Sequence, residues 1–179
     1  MCTYVALFRG INVGGRNILP MRDLRAVLED LGCEEVRTYI QSGNAVCRHA
    51  DGRASRLAER IRAAIESSHG FGPEVLLLTA DELERAMNAN PFPEGTAEPS
   101  TLHLFFLSAV PADPNLGALE EARAASERFE VDGDVAYLHA PDGIGRSKLA
   151  VRLESALGVT GTGRNWRTLC KIMELARSP

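Results

Sequence analysis

The chain has 179 residues and a mass of 19.4 kDa, room for one ordinary domain or two small ones. Hydrophobic residues make up 45% and charged residues 25%, a globular balance that excludes a disordered chain or a fibre. A net charge of −4 excludes a surface that attracts nucleic acid as a whole.

From the N-terminus, Thr3–Arg9 reads as a strand by its Tyr, Val and Phe content. A glycine-rich loop follows over Gly10–Pro20, then a helix over Met21–Leu31 with Met21, Leu24, Leu28 and Leu31 on one face, stopped by Gly32. Val36–Gln41 and Asn44–Arg48 are two strands turned at Ser42-Gly43. Ala54–Ser67 is a helix with Leu57, Ile61 and Ile65 four apart; Glu74–Leu78 is a strand; Thr79 and Glu82 form a capping box opening a third, short helix.

Asn88–Ser100 breaks the pattern with three prolines and no Val, Ile, Leu or Met, as a linker does. Leu102–Ser108 is the next strand, and Asp113-Pro114 caps and starts a helix through Leu119. Phe129–Asp132 and Val135–His139 form a hairpin around Gly133-Asp134. Ser147 caps a helix carrying Leu149, Leu153 and Leu157 and closed by Gly158; a short extended piece follows at Val159–Gly161. Asn165 caps a last helix with Leu169, Ile172 and Leu175. Each half runs β-α-β-β-α-β. The expected architecture is α+β, two tandem ferredoxin-like subdomains at 1–88 and 101–179, joined by a Pro-rich linker at 89–100.

The longest apolar runs, Val75–Leu78 and Leu104–Leu107, are far shorter than the roughly 20 residues of a membrane span. Met1–Phe8 lacks the basic start and apolar length of a signal peptide, so a cytoplasmic protein with no membrane partner is expected. Cys2, Cys33, Cys47 and Cys170 stand apart, with no CxxC pair and no histidine at ligand spacing; reduced thiols and no metal site are expected.

Four segments are candidates for binding. Arg9–Asn17 contributes Arg9, Asn12, Gly14, Gly15, Arg16 and Asn17: glycines allow exposed amides to cradle an anion, and no acidic residue interrupts the cations. It is neither a Walker A loop nor G-x-G-x-x-G, and its glycines could equally serve turns alone. The hairpin Tyr39–Asn44 contributes Gln41, Ser42 and Asn44, with Arg37, Tyr39 and Gln41 on one face and Val36, Thr38 and Ile40 on the other. The polar set is expected on the free sheet face, where it binds something or meets the other domain.

Asp142–Lys148 brings Arg146, Ser147 and Lys148 to a helix start, a seat for phosphate or carboxylate, or an ordinary N-cap. Thr162–Thr168 brings Arg164, Asn165, Trp166 and Arg167; the only tryptophan could stack a base or serve as a partly buried anchor. Between Gly143 and Met173 six cations face Glu154 alone, a local +5 in an acidic protein. His49, His69, His103 and His139 share no catalytic spacing, and no acid–base pair or nucleophile elbow is legible.

RGINVGGRN, YIQSGN, DGIGRSK and GRNWRT, in this order from Tyr4 to Ala176, resemble the bacterial family of domain of unknown function 1697. The resemblance implies a two-subdomain α+β protein with ferredoxin-like (alpha-beta plait) units. It implies no activity, cofactor or catalytic residue. The function expected from the residues is binding of a small anionic ligand, a nucleotide or phosphorylated metabolite, with the glycine loop and basic turns lining one cleft between subdomains. Whether a reaction follows, which cofactor it would use and the oligomeric state are left open. The alternatives are single-stranded nucleic-acid binding on Trp166 and Tyr39, against which 6% aromatic content counts, and a non-catalytic protein-interaction module.

Overall fold

Strand β1 (Cys2–Arg9) is the apolar spine of the first half: Tyr4 through Phe8 are all buried, although side chains alternate between the two sheet faces. The structure is a computed structural model describing residues 1–41 and 43–178. β1 lies between β3 (Asn44–His49) and β4 (Glu74–Thr79), and β2 (Glu34–Tyr39) forms one edge, giving the order β2-β3-β1-β4 with every pair antiparallel.

Helices α1 (Met21–Asp30) and α2 (Ala54–His69) cover one face. Leu24 and Leu28 of α1 and Leu57, Ile61 and Ile65 of α2 join Tyr4, Ala6 and Phe8 in one buried cluster. Each such burial is worth about 1.5–3 kcal/mol, so the leucine and isoleucine spacing decides which way both helices face. α2 ends where Gly70 takes φ 78° and its amide donates to the Glu66 carbonyl. The capping box opening α3 (Ala80–Asn88) forms as expected: the Glu82 amide donates to Thr79 Oγ1 at 3.2 Å, and the Thr79 amide donates to Glu82 Oε2 at 2.7 Å.

The second half holds β5 (Leu102–Leu107), α4 (Leu116–Ala122), β6 (Arg128–Asp132), β7 (Val135–His139), α5 (Lys148–Leu157), β8 (Gly161–Asn165) and α6 (Trp166–Arg177). Its sheet has the order β6-β7-β5-β8, again antiparallel throughout. Leu149, Leu153 and Leu157 of α5 pack with Leu119 of α4 over Leu107, Ala136 and Leu138. Among the described residues the protein is thus an α+β fold with two four-stranded antiparallel sheets and six α-helices. None of the helices is long and apolar enough to cross a membrane.

Three elements differ from the sequence expectation. β2 stops at Tyr39 rather than Gln41: Ile40 turns to φ 50° and is exposed instead of joining the covered face, because the chain must leave the ladder to reach Gly43 at φ 75°. α4 starts at Leu116, capped by Asn115, whose side chain accepts from the Ala118 amide, and not at Asp113-Pro114. The fourth strand of the second sheet is Gly161–Asn165, beyond the short piece expected at Val159–Gly161. Gly163 permits it, since a Cβ there would lie 2.6 Å from Cε1 of the Phe105 ring.

The stretch 89–100 carries structure of its own. A 3-10 helix spans Pro93–Ala97, Phe92 is buried, and its ring stacks on that of His139 with centroids 6.4 Å apart. Arg128 lies over the Phe92 ring at 4.7 Å and pairs with Glu94. By backbone contacts the chain divides into two compact units, Met1–Met87 with Cys170–Pro179, and Asn88–Leu169. The division falls inside α6, so the closing residues group with the first half.

Candidate functional site

The glycine loop of the first unit is a miniature hairpin. Val13 and Arg16 form a β-bridge, the Arg16 amide donates to the Val13 carbonyl at 3.0 Å, and Gly14 and Gly15 between them have φ of 58° and 74°. Two successive positive φ values are what a type I′ turn requires, so these glycines have a turn to make. Asn12 closes the base: its Oδ1 accepts from the Leu19 amide, and its Nδ2 donates to the carbonyls of Leu19 and Gln41. Asn17 Nδ2 donates to the Gly10 carbonyl at 3.0 Å. Both side-chain amides are therefore engaged in the protein's own backbone. Arg9 pairs with Glu74 across β1 and β4 at 3.0 Å. Arg16 is exposed and makes no ion pair among the described residues.

The hairpin residues are also partly spent. Asn44 is 0% exposed and donates to the Tyr39 carbonyl at 3.2 Å, sealing the ends of β2 and β3. Gln41 is exposed, with its carbonyl held by Asn12. Ser42 lies outside the described residues. The face expected to be free near Arg37 is occupied within the same unit by the end of α6: Arg37 Nη1 donates to the carbonyls of Leu175 at 3.2 Å and Ser178 at 3.0 Å. A guanidinium on the last carbonyls of a helix satisfies groups that have no intrahelical donor. Nothing in the local sequence around Arg37 signals this role.

In the second unit the expected N-cap of α5 forms. The Ser147 side chain accepts from the Ala150 amide at 2.9 Å, and Ser147 itself is buried by the helix it caps. A pocket of about 400 Å³ is lined by Gly145, Arg146, Ser147, Lys148, Val151 and Arg152. Arg146, Lys148 and Arg152 are exposed and form no ion pair among the described residues. Glu154, the one acid in the same stretch, accepts from the Gly161 amide at 3.0 Å. Lys148 and Arg152 are four apart on one helix, where like charges repel by about 0.2–0.5 kcal/mol. The helix dipole adds positive potential at the same end. Arg152 was counted in the +5 stretch but was not among the expected ligand residues; its i,i+4 spacing from Lys148 is the signal that finds it. Val151, 84% exposed, gives the rim an apolar contact.

Arg164, Asn165, Trp166 and Arg167 do not line that pocket. Arg164 and Asn165 belong to strand β8, not to a turn; Arg164 pairs in register with Leu104, and burial pushes its guanidinium down to about 10, still charged at neutral pH. Its Nη1 donates to the Gly163 carbonyl at 2.8 Å. Asn165 caps α6 as expected, accepting from the Thr168 amide at 2.9 Å. Trp166 is half-buried and Arg167 exposed. Lys171, counted in the same basic stretch, pairs with Glu174 at 2.6 Å. Among the described residues, no group of three or more His, Cys, Asp or Glu side chains could hold a metal ion.

The fold is similar to that of the conserved bacterial protein SP0830 from Streptococcus pneumoniae. The two chains are 22% identical, with 98% of this chain and 99% of that one covered at a TM-score of 0.76. No curated protein matches the chain. Residues 1–137 match the sequence profile of a family described as protein of unknown function, a span holding RGINVGGRN and YIQSGN and ending before DGIGRSK and GRNWRT. With that match over most of its length, the chain belongs to the family of proteins of unknown function DUF1697.

Proposed function

We propose that the second unit binds a small anionic ligand, a nucleotide or a phosphorylated metabolite, at the start of α5. One observation carries the reading: Arg146, Lys148 and Arg152 converge on a pocket with no acidic side chain in its lining. Three cations gathered at the positive end of a helix dipole repel one another until an anion joins them, and the amides of α5 ahead of Ala150 have no intrahelical acceptor to compete for them. Val151 would meet an apolar part of the ligand, such as a base or a sugar edge.

In the same reading each unit is ferredoxin-like. What favours this is the β-α-β-β-α-β order in each half together with the matching orders β2-β3-β1-β4 and β6-β7-β5-β8. In the first unit both crossover helices also pack into one core with the sheet.

The test is calorimetric titration with inorganic phosphate, a nucleoside triphosphate and a short single-stranded oligonucleotide, at low and physiological salt. Saturable phosphate or nucleotide binding that is weakened on Arg146→Ala or Lys148→Ala supports the reading. Binding of the oligonucleotide alone, with a steep salt dependence, moves it to single-stranded nucleic acid. Silence from all three ligands sinks it.

A further inference from the structure

Four strands stand at sheet edges: β2 and β4 in the first unit, β6 and β8 in the second. An edge offers unpaired N–H and C=O groups to any further strand, and proteins blunt it with charges, bulges or poor strand formers. β2 carries exposed Glu34 and Glu35 and a register shift between Glu34 and Arg37. β6 alternates Arg128, Glu130 and Asp132 along its exposed positions. β8 holds two glycines and the buried Arg164 guanidinium. β4 has none of these devices. Its register with β1 runs unbroken from Glu74 to Thr79, and Val75–Leu78 are four aliphatic residues in a row. Glu74, its one charge, is paired with Arg9 of β1. The outward-facing backbone groups are those of Val75 and Leu77. The Phe8 amide donates to the Gly43 carbonyl, on the β3 side of β1, so its partner Val75 and Leu77 two further on turn N–H and C=O away from β1. Among the described residues neither bonds to another backbone group on that side. The Thr79 amide is taken by Glu82 in the capping box, which leaves the Thr79 carbonyl.

We propose that β4 pairs antiparallel with β4 of a second copy of this chain, joining two four-stranded sheets into one. A two-fold axis perpendicular to the sheet at Leu77 gives the best match. The two Leu77 residues then exchange both backbone bonds, and each Val75 amide meets the Thr79 carbonyl of the other copy. Val75 and Leu77 pack in the helix-covered cluster, so Leu76 and Leu78 project from the opposite face. There Leu76 meets Leu78 of the other copy, apolar against apolar. Glu74 falls beyond the ladder and keeps Arg9. An axis at Leu76 would instead set Glu74 against Leu78 and strip water from that ion pair. The occupant is a second copy, not a foreign peptide, because this edge is its own complement. The copy's β4 is already extended, sets no like charges opposite each other and needs no further ordering to bind. Assembly stops at two, since the pairing consumes β4 and the other three edges are blunted.

The experiment measures sedimentation of the full-length chain across a range of concentrations, with hydrogen exchange read at both ends of the range. The expected result is a reversible dimer. On dilution the Val75 and Leu77 amides should exchange about tenfold faster or more, while those of Leu76 and Leu78, which face β1, stay protected. Leu76→Lys should leave a monomer, and adding Leu78→Glu should restore the dimer, because the two positions face each other across the axis. The wild-type exchange pattern decides the matter whether or not these variants fold. A wild-type chain that is monomeric throughout, a dimer whose Val75 and Leu77 amides exchange at one rate at every concentration, oligomers that grow past two, or a folded double variant that stays monomeric would each overturn the proposal.

Discussion

Asn12 and Leu19 exchange a reciprocal pair of hydrogen bonds: the Leu19 amide donates to Asn12 Oδ1 at 2.8 Å, and Asn12 Nδ2 donates to the Leu19 carbonyl at 2.9 Å. A side-chain amide thereby stands in for a strand partner across the neck of the loop, and its second N–H reaches Gln41 at 2.8 Å. Asn12 also holds φ 55°, which asparagine tolerates better than most residues. Asn12→Ala should therefore cost about 4–5 kcal/mol, combining three lost hydrogen bonds of about 1 kcal/mol each with backbone strain of about 1–2 kcal/mol. Urea denaturation checks the figure, and a loss under about 0.5 kcal/mol would show that the neck is held by something else.

Gly43 has no room for a side chain. A Cβ there would lie 2.7 Å from both Ile11 Cδ1 and Phe8 Cβ, and its φ is 75°, whereas Gly14 faces open space at φ 58°. Gly43→Ala should destabilise by about 2–5 kcal/mol through strain and overpacking together, and Gly14→Ala by about 1–2 kcal/mol through strain alone. Adding Ile11→Val to Gly43→Ala should recover part of the loss. Thermal melts of the three variants decide it; equal losses for the two glycines would contradict the packing argument.

His103, 8% exposed on β5, has a buried Nδ1 with no hydrogen-bond partner among the described residues. Burial pushes its pKa below the ordinary 6.5, and burial followed by the charge of Arg128 does the same for His139. Below pH 6.5 the unfolded chain takes up protons that the folded chain refuses. Stability is therefore full above 6.5 and falls as pH drops toward the lower folded values. His103→Leu should flatten that slope without removing the part due to His139. Denaturation midpoints at pH 7.5 and 5.5 test this, and an unchanged slope in the variant would clear His103 of the effect.

Arg37 ties the last turn of α6 to β2 through two carbonyls, and Arg177 near the same end pairs with Glu84 of α3. Arg37→Ala should loosen that turn by about 1–2 kcal/mol, since hydrogen bonds from a charged donor are the stronger kind. Hydrogen exchange at the end of α6 should quicken by about tenfold or more, while α2 stays protected. Uniform loss of protection across the unit would point to a global effect instead.

In the basic pocket, Arg146→Ala, Lys148→Ala and Arg152→Ala should each weaken phosphate binding by about three- to tenfold, the worth of one exposed charge contact near a helix start. The same variants should change stability without ligand by less than about 0.5 kcal/mol, because all three side chains are exposed and unpaired. Arg167→Ala, outside the pocket lining, serves as the control. Equal effects from Arg167 and Arg146 would mean diffuse attraction rather than a site.

The element order was legible before any coordinates because it rests on near-neighbour spacing: Leu57, Ile61 and Ile65 repeat at the helix period, and Thr79 with Glu82 spells a capping box. The cap at Ser147 was legible for the same reason, since a cap and its helix are contiguous. β8 was not. Its residues Gly161–Asn165 carry two glycines and no large apolar side chain, and they make a strand because Phe105 on the neighbouring strand fills the space over Gly163.

The polar residues divide along the same line. Sequence alone determined that Arg9, Asn12, Asn17, Gln41, Asn44, Arg146 and Lys148 sit at strand ends, loops and helix starts, where ligands are often held. Only the tertiary structure decided that Asn12, Asn17 and Asn44 bond to the chain's own backbone, that Arg9 pairs with Glu74, and that Arg146 and Lys148 stay unpaired beside Arg152. The reason is physical: an amide or guanidinium carries the same donors whatever accepts them, and its acceptor here comes from 5 to 65 residues away in the chain.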